Sequence, residues 1–573
     1  MHPNLRRSWT VLALLCIPVF VGSLDLTVVS AILPEVVVSL GLPPESRLDD
    51  AAWMVTGYLL AYTISMTFTG RLSDLLGRRR VFVAFLLLFM FGSYFVAVAH
   101  TWPAETYLRI YREFFPDDRP PAPEIRTLHM IILGRVLQAL GAGAMAPVTM
   151  ALVADLFPKH KRARPIGLVG AVDTVGWVLG HLYGGIMVRF FGANGAAIRD
   201  AMARVGLDLG VPDWRTLFVL NLGFGLITLA AVFIGLRGVP QQRHQQRFDL
   251  LGASLLTAAL ITLTFGLGGT PLEGPSNAAD LASAAATSHL SWPLLGSASV
   301  IFLLFLLVEG RTRHPLTNLQ LFRQVNVSAA AFINICVGFS LAIGLAALPI
   351  MVNFRAGETN AEVIQQAALV AGVLLSGLTV PMALAAFPGG WLTDRRGYRL
   401  PTATGLALSG VGFVFCSLTW DVDTPYWVMG LQMAVIGVGL GMTIAPLASA
   451  VINAAGETER GSASALVLAL RLVGMTLALS SLTTYIISEV NRRFANSSAG
   501  VQDTSALYLE KIVEVVNEAF LIGAAVCLAG LLAALLMRGG SAGQLAQETA
   551  ADEGATPLGR ARRAAFTLAS NKS

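Results

Sequence analysis

The chain has 573 residues, of which 55% are hydrophobic and only 13% are charged, with a formal net charge of +5. Soluble domains usually carry about 25% charged residues. This composition therefore excludes a large soluble protein and indicates an all-α integral membrane protein that crosses the bilayer many times. Four cysteines (Cys16, Cys336, Cys416 and Cys527) lie in apolar runs without metal-type spacing, so we predict no disulfide framework, no metal and no cofactor.

Apolar runs of about 20 residues, long enough to cross the hydrocarbon core, predict about fourteen spans. In chain order they lie near residues 11–34, 51–69, 80–100, 128–155, 163–190, 215–237, 249–269, 293–310, 327–353, 365–388, 400–420, 425–449, 462–487 and 516–537. The first run is too long for the apolar core of a cleaved signal peptide and carries Asp25 in its middle. We therefore expect it to be the first span.

The connections between these spans alternate in charge. Basic connections lie at 77–80, 159–164, 237–247, 309–314 and 394–399, whereas those at 43–50, 271–280 and 421–423 carry more acidic residues. Basic loops stay in the cytoplasm. We therefore expect a multi-pass membrane protein with both termini cytoplasmic.

One segment is repeated within the chain. "GRLSDLLGRRR", starting at Gly70, and "GWLTDRRGYRL", starting at Gly390, both fit G-x-L-[ST]-D-x-x-G-x-R. This match predicts a duplication. The copies follow spans 2 and 10, whereas two fused six-span halves would place them six spans apart. We therefore predict an N-terminal half (1–237), two inserted helices (238–312), a C-terminal half (313–540) and a disordered cytoplasmic tail (541–573).

Several motifs resemble those of the major facilitator superfamily, specifically its fourteen-helix drug:proton antiporter branch. They are "LDLTVVSAILP" (24–34), "WMVTGYLLAYTISMTFTGRLSDLLGRRRVF" (53–82), "LGRVLQALGAGAMAPVTMALVADLFP" (133–158) and "ERGSASALVLALRLVG" (459–474). The resemblance implies the major-facilitator fold, with two six-helix halves and two extra central helices. The glycine pattern of the branch's fifth-helix antiporter motif is also present, at Gly167, Gly176, Gly180, Gly184 and Gly185. His181 stands where that motif has proline, which would kink the helix.

The resemblance also implies a role for the repeated segment, as a latch between the halves that breaks when the transporter changes state. Its residues are Gly70, Asp74, Gly77, Arg78 and Arg79 in the first copy and Gly390, Asp394, Gly397 and Arg399 in the second. The alternative is a simple positive-inside anchor, which would not need the aspartate. Trp391 replaces Arg71 in the second copy, so we expect the weaker latch there.

Ionisable residues inside spans are costly unless they are paired or functional. At 1.5 Å per helical residue, Asp25 lies about 14 Å and Arg135 about 10 Å from the outer ends of their spans. We expect these two residues to interact and to couple transport to protons; the alternative is a permanent ion pair that sets helix register. His181 falls in the same layer, and Asp173 lies near the midplane. His181 either shares the proton or stays neutral, and Asp173 is either a substrate or proton site or an acid that stays neutral.

Residues that could line an adaptable substrate cavity are Tyr58, Tyr62, Gln138, Met145, Trp177, Met351 and Arg471. Two long outer segments, at 100–127 and 192–214, each contain a helical pattern. We expect short amphipathic helices there that either cover the outer mouth or bind a periplasmic partner.

The resemblance and these residues together predict a proton-coupled exporter of multiple drugs or other lipophilic compounds that works by alternating access. A lipid or metabolite exporter of the same fold is the alternative, and a receptor or scaffold that has lost transport is a weaker one. We expect small lipophilic molecules, protons and membrane lipid as partners and no nucleic acid. No ATP-binding P-loop or nucleophile–base constellation is present in the sequence, so we do not expect an enzyme.

Overall fold

A computed structural model describes residues 5–42, 44–204, 210–237, 248–267, 291–356, 361–497, 504–541 and 544, with the side chain of His181 outside the described set. The described residues form α-helices and two short 3₁₀ turns. The helices are α1 (Leu5–Ser39), α2 (Pro44–Leu76), α3 (Arg78–Ala97), α4 (Trp102–Phe114), α5 (Pro123–Ala142), α6 (Met145–Leu156), α7 (Ala163–Arg204), α8 (Arg215–Gly235), α9 (Leu250–Gly266), α10 (Trp292–Glu309), α11 (Val325–Ala356), α12 (Ala361–Arg396), α13 (Arg399–Thr419), α14 (Tyr426–Ala454), α15 (Arg460–Ser497) and α16 (Thr504–Leu535).

The spans agree closely with the predicted number. Among the described residues, twelve helical segments are long and apolar enough to cross a membrane, and α5 and α6 form one of them. Helix α9 is apolar but has only 17 residues, and α2 is long but carries many polar residues. If these two helices also cross the membrane, the described helices are compatible with the predicted number of about fourteen spans.

The predicted fourth span is a broken helix rather than a continuous one. Helix α5 ends at Ala142 and α6 begins at Met145. Pro147 has no backbone N–H to donate to the carbonyl of Gly143, so the helical ladder is interrupted at this point. A side chain at Gly143 would also lie 2.7 Å from the carbonyl oxygen of Tyr62, so glycine permits the broken segment to pack closely on α2.

The fifth span differs from the prediction at its outer end. Helix α7 continues to Arg204, so the separate short helix expected at 192–214 is wrong. The segment after Phe191 contains no proline before 204 and is rich in alanine, which favours continuation of a helix. At 1.5 Å per residue the 42 residues span about 63 Å, roughly twice the ~30 Å hydrocarbon core.

The packing of the helices agrees with two six-helix groups joined by an inserted pair. Helices α1 to α8 and α11 to α16 form the groups, and α9 and α10 pack against each other beside α2. Trp53 of α2 contacts Phe265 of α9, with ring centroids 5.2 Å apart. Contacts between the groups include α2 with α15 and α7 with α12.

One end of the bundle, which we call the basic end, holds Arg78 at the start of α3, Lys161 between α6 and α7, and Arg399 at the start of α13. Several sequence predictions concern residues outside the described ranges. They are most of the basic connection 237–247, the connection 271–280 and the tail beyond Ser541 except Gln544. The domain boundaries at 237, 312 and 540 remain predictions.

Candidate functional site

A closed polar cluster lies in the membrane-embedded part of the first group of helices. Arg135 Nη1 of α5 donates to Asp25 Oδ2 of α1 at 2.7 Å. Gln138 Nε2 and Asn221 Nδ2 donate to Asp25 Oδ1 at 2.9 and 2.5 Å. Asp25, Arg135 and Gln138 have no solvent-exposed surface, and Asn221 is only 3% exposed. The predicted interaction between Asp25 and Arg135 is therefore direct.

Arg135 also has polar and aromatic partners besides the Asp25 carboxylate. Arg135 Nη1 donates to Gln138 Oε1 at 2.6 Å, and Nη2 donates to the backbone carbonyl of Asp25 at 3.2 Å. The guanidinium carbon lies 3.9 Å from the ring centroid of Tyr58, a favourable cation–π distance. Arg135 thus has three neighbours besides the Asp25 carboxylate that stabilise its charge.

Four helices build the cluster because each places a polar side chain on its inner face. Arg135 and Gln138 are three residues apart on α5 and so share one face. Gln138 Nε2 also donates to Ser93 Oγ of α3 at 2.7 Å. A side chain at Gly92 would lie 2.4 Å from the backbone nitrogen of Gln138, so glycine allows α3 to approach α5 closely.

Asp173 of α7 forms a second buried acidic position. Ser23 Oγ of α1 donates to Asp173 Oδ1 at 2.5 Å. Arg471 of α15 lies near enough for its charge to act on Asp173 across the boundary between the two groups of helices, but these two described residues form no direct ion pair. Both charged residues are at least nine-tenths buried. The rings of Tyr62 and Tyr58 stack with their centroids 6.1 Å apart. Tyr62 is also near enough to Asp173 for the aspartate charge to act on it, so these two aromatic residues connect the two acidic positions.

The glycines of the fifth-helix pattern have different environments. Added side chains would meet the backbone of α1 at Gly176 and Gly180, at 2.9 Å from Phe20 O and 2.3 Å from Leu24 O. Thr27 Oγ1 donates to the backbone carbonyl of Trp177 at 2.7 Å in the same contact. Gly176 and Gly180 therefore allow close packing of α1 and α7.

The other three glycines of the pattern, Gly167, Gly184 and Gly185, have different surroundings. A side chain at Gly167 would lie 2.5 Å from the carbonyl of Ala386 in α12, whereas Gly185 has open space around it. Gly184 is buried within α7. His181 lies in the α7 helix, but its side chain is outside the described residues, so its predicted proton role remains a prediction.

The first copy of the repeat joins the two groups of helices at the basic end. The carboxylate of Asp74 accepts hydrogen bonds from the backbone N–H groups of Gly461 and Ser462, at 3.0 and 3.1 Å, at the start of α15. Arg78 Nη1 lies 2.6 Å from Asp74 Oδ1. Negative charge at a helix N-terminus is favourable because the first N–H groups have no helical partner.

A second aspartate extends this contact. Asp155 at the end of α6 accepts from Arg78 Nε at 3.2 Å and from Arg460 Nη1 of α15 at 2.9 Å. Gly70 and Gly461 touch through their backbones, since a side chain on either would lie 2.1 Å from the other's carbonyl oxygen. Close backbone packing and a bridging ion-pair network thus hold α2 and α6 against α15.

The second copy makes a looser version of the same contact. Arg164 Nε at the start of α7 lies 3.3 Å from Asp394 Oδ2, and the arginine side chain is 39% exposed. A side chain at Gly390 would lie 2.5 Å from the carbonyl oxygen of Ala163. Arg399 is exposed, and Arg395 stacks over Trp391 at 3.9 Å.

Both copies turn on a glycine in the left-handed region. Gly77 has φ of +94° and Gly397 has φ of +81°, a conformation that disfavours side chains. Arg79, two residues after Gly77, lies over the ring of Phe233, with its guanidinium carbon 4.8 Å from the ring centroid. Near this turn, burial and the neighbouring Arg460 lower the pKa of Arg162 to about 10, which still leaves its guanidinium protonated at pH 7.

The remaining predicted cavity residues are largely enclosed. Tyr58 and Met351 are fully buried, and Tyr62 and Met145 are each 2% exposed. Met145 Sδ lies close to Gly22 of α1, where a side chain would approach it to 2.9 Å. Tyr58 and Gln138 belong to the Asp25 cluster, whereas Tyr62 and Arg471 lie around Asp173. Their role as cavity lining remains a prediction.

Sequence reasoning missed five polar residues that complete these sites. They are Ser23, Ser93, Asp155, Asn221 and Arg460. A signal was available for Asn221, because an amide in an apolar span requires a partner. Asp155 and Arg460 lie inside motifs of the resemblance, but their spacing alone does not show that they meet.

The chain matches a family model described as Major Facilitator Superfamily over residues 15–352 and 327–570. It is 29% identical over 542 residues to the triacylglyceride transporter of Mycobacterium tuberculosis strain H37Rv, covering 91% of this chain and 93% of the relative. It is 28% identical over 546 residues to the probable triacylglyceride transporter of Mycobacterium leprae, covering 91% and 94% of the two chains.

Two solved structures share the fold at low sequence identity. The proton:xylose symporter XylE bound to 6-bromo-6-deoxy-D-glucose matches with a TM-score of 0.54 at 15% identity, covering 95% of this chain and 99% of that chain. The human organic anion transporter MFSD10 matches with a TM-score of 0.53 at 15% identity, covering 93% and 100%. The predictions of the fold and of a transporter rather than an enzyme are confirmed, and the chain belongs to the Major Facilitator Superfamily.

Proposed function

We propose that the protein exports a neutral lipid of the triacylglyceride class in exchange for protons. The observation that carries the proton part is the fully buried Asp25–Arg135 pair, whose arginine has other partners that remain when the carboxylate is neutral. The names of the relatives support the lipid part. They favour the lipid-exporter alternative over the multidrug exporter that the sequence predicted first.

The chemistry of the interior agrees with a neutral substrate. A charged substrate in a low-dielectric interior needs a counter-charge. The two buried carboxylates described above have partners within the protein, because Asp25 is paired with Arg135 and Asp173 accepts a hydrogen bond from Ser23. A triacylglyceride has no net charge and requires no such partner, so these groups are available for protons.

In the proposed cycle, Asp25 takes up a proton and its attraction to Arg135 falls. Asp173 is the second proton site, and its charge acts on Arg471 in the other group of helices. Neutralising Asp173 therefore weakens an attraction between the two halves. A proton at either position changes the relative energies of the two conformations, which is the requirement for coupling.

The latch at the basic end supplies the second part of the cycle. The structure has Asp74 bound to the start of α15, so the halves are in contact at this end. In the proposed alternating-access cycle, this contact breaks to open the basic end and re-forms to close it. The basic connections support a cytoplasmic location of this end and of both termini in a bacterial inner membrane.

Transport in reconstituted liposomes tests this proposal and its rivals together. The purified protein is incorporated with a labelled triacylglyceride or, separately, a cationic dye, and a pH gradient is imposed. We expect gradient-driven movement of the lipid and little movement of the dye. Dye movement without lipid movement would favour the multidrug antiporter, and movement of neither would favour a receptor or scaffold.

The Asp25→Asn variant provides the matched test of the proton role. It preserves the size of the side chain but removes its charge and its capacity to exchange a proton. We expect lipid binding to persist and gradient-driven transport to be lost. The control is Asp118→Asn, an exposed aspartate in the outer connection, which leaves transport at the parental rate.

A further inference from the structure

An amphipathic helix connects α3 to α5 at the end of the bundle opposite the basic end. This helix, α4, begins at Trp102, with Pro103 in its first turn. With 3.6 residues per turn, its four charged residues occupy one arc, and its aromatic and aliphatic residues other than Trp102 occupy the rest. Such a division is typical of helices that lie in the plane of a membrane interface.

The apolar arc of α4 does not pack fully against the protein. Between α4 and the outer ends of α3 and α5 there is a groove of about 410 Å³, within the ~300–1,000 Å³ range of small-ligand pockets. Its lining is almost wholly apolar and includes Phe95, Trp102, Ile110, Tyr111, Phe114 and Leu133. Phe114 is 73% exposed and Ile110 is 52% exposed. These two side chains can therefore be fully buried only when another molecule occupies the groove.

The groove continues onto the lipid-facing surface of the spans. Leu87, Phe91 and Tyr94 of α3 are each 43–49% exposed, and Leu133 of α5 is 43% exposed within the groove itself. This apolar surface must contact acyl chains because α3 and α5 cross the membrane. An acyl chain that leaves this surface can therefore enter the groove without crossing water.

We propose that the groove under α4 holds an acyl chain of a membrane glycerophospholipid in the leaflet at this end of the bundle. The aromatic rings of Trp102 and Tyr107 suit the interfacial depth at which α4 would lie. The charged arc carries Glu105, Arg109, Arg112 and Glu113 and so has no net charge. The site therefore selects for an acyl chain and not for an anionic headgroup.

Photolabelling in lipid nanodiscs tests this site. The probes are phosphatidylglycerol and phosphatidylethanolamine with a diazirine near the end of one acyl chain, and labelled peptides are mapped by mass spectrometry. We expect both lipids to label the α4 segment and Leu133 to the same extent. A several-fold preference for phosphatidylglycerol would contradict the absence of headgroup selection.

Substitution of the groove provides the second arm. Ile110→Lys with Phe114→Lys removes two large apolar side chains, so labelling of the groove should fall by about tenfold. Labelling of the exposed α10 residues Leu303 and Leu307 reports that the variant is folded and inserted. The matched control on the charged arc, Glu105→Gln with Arg109→Gln, should retain labelling.

Two results would overturn the proposal. A water-soluble carbene that labels α4 while the acyl probes do not would show that the helix stands in water, as a docking site for a protein partner requires. Labelling that appears only under a pH gradient, and is lost in Asp25→Asn, would place the groove on the export route. Labelling without any gradient supports a resident lipid whether or not the proposed export function is correct.

Discussion

The contact of Asp74 with the start of α15 gives the sharpest prediction about conformational change. In Asp74→Asn, the amide oxygen can still accept one backbone N–H, but the NH₂ group faces the other donor. The charge opposite Arg78 is also lost. Because these bonds join the two halves, the variant should destabilise the conformation closed at the basic end more than the open one.

The burial of Asp74 sets the size of this shift. The Asp74 side chain is 1% exposed, so its interactions are little screened by water. Loss of one hydrogen bond to a charged group costs about 1.5–3 kcal/mol. At 1.36 kcal/mol per tenfold change, the closed-to-open ratio should fall roughly 10- to 150-fold. Arg78 retains Asp155, which limits the effect to this range.

Pulsed electron–electron double resonance measures this ratio. Spin labels at Arg80→Cys and Leu400→Cys report the distance between the halves at the basic end, where both residues are exposed. The four native cysteines are buried, so they need not be replaced. We expect a short distance between the two labels in the parent and an additional population at a longer distance in Asp74→Asn. Distance distributions identical in parent and variant would refute the reasoning.

The second copy of the repeat, the contact of α1 with α7 and the Asp25 cluster each give one further prediction. Asp394→Asn should shift the conformational ratio by about fivefold or less, because its arginine partner is partly exposed and such pairs contribute about 0–1 kcal/mol; the same distance measurement checks this. Gly180→Ala would place a methyl group 2.3 Å from a backbone carbonyl and should cost about 1–3 kcal/mol, lowering the thermal unfolding temperature, whereas Gly185→Ala should not. Arg135→Met should destabilise the protein by about 3–5 kcal/mol because it leaves the buried Asp25 carboxylate without a counter-charge, and thermal unfolding equal to that of the parent would contradict this.

The sequence predicted the parts of the fold that depend on composition and periodicity. The all-helical membrane fold, the packing of α9 against α10 and the meeting of Asp25 with Arg135 agree with apolar run length, the repeat and helix rise. The break at Gly143 and the continuation of α7 to Arg204 were not predicted. They depend on one proline in an apolar run and on the absence of a stop signal, which hydropathy does not detect.

Only those residues of the candidate site whose type is unusual in an apolar run could be predicted from the sequence. Asp25, Arg135 and Asp173 stand out because charge is rare there. Asn221 and Ser93 do not, since uncharged polar residues are common in spans, and their role depends on which faces of four helices meet. Asp155 could not be linked to Arg460, because they lie 305 positions apart in the chain.

Counter-movement of protons and lipid tests the central claim most directly. Liposomes that contain the protein and a pH-sensitive dye are given a triacylglyceride gradient but no pH gradient. The account predicts that lipid movement drives protons in the opposite direction and that Asp25→Asn abolishes this proton flux. Lipid movement at the parental rate without any proton flux would contradict it.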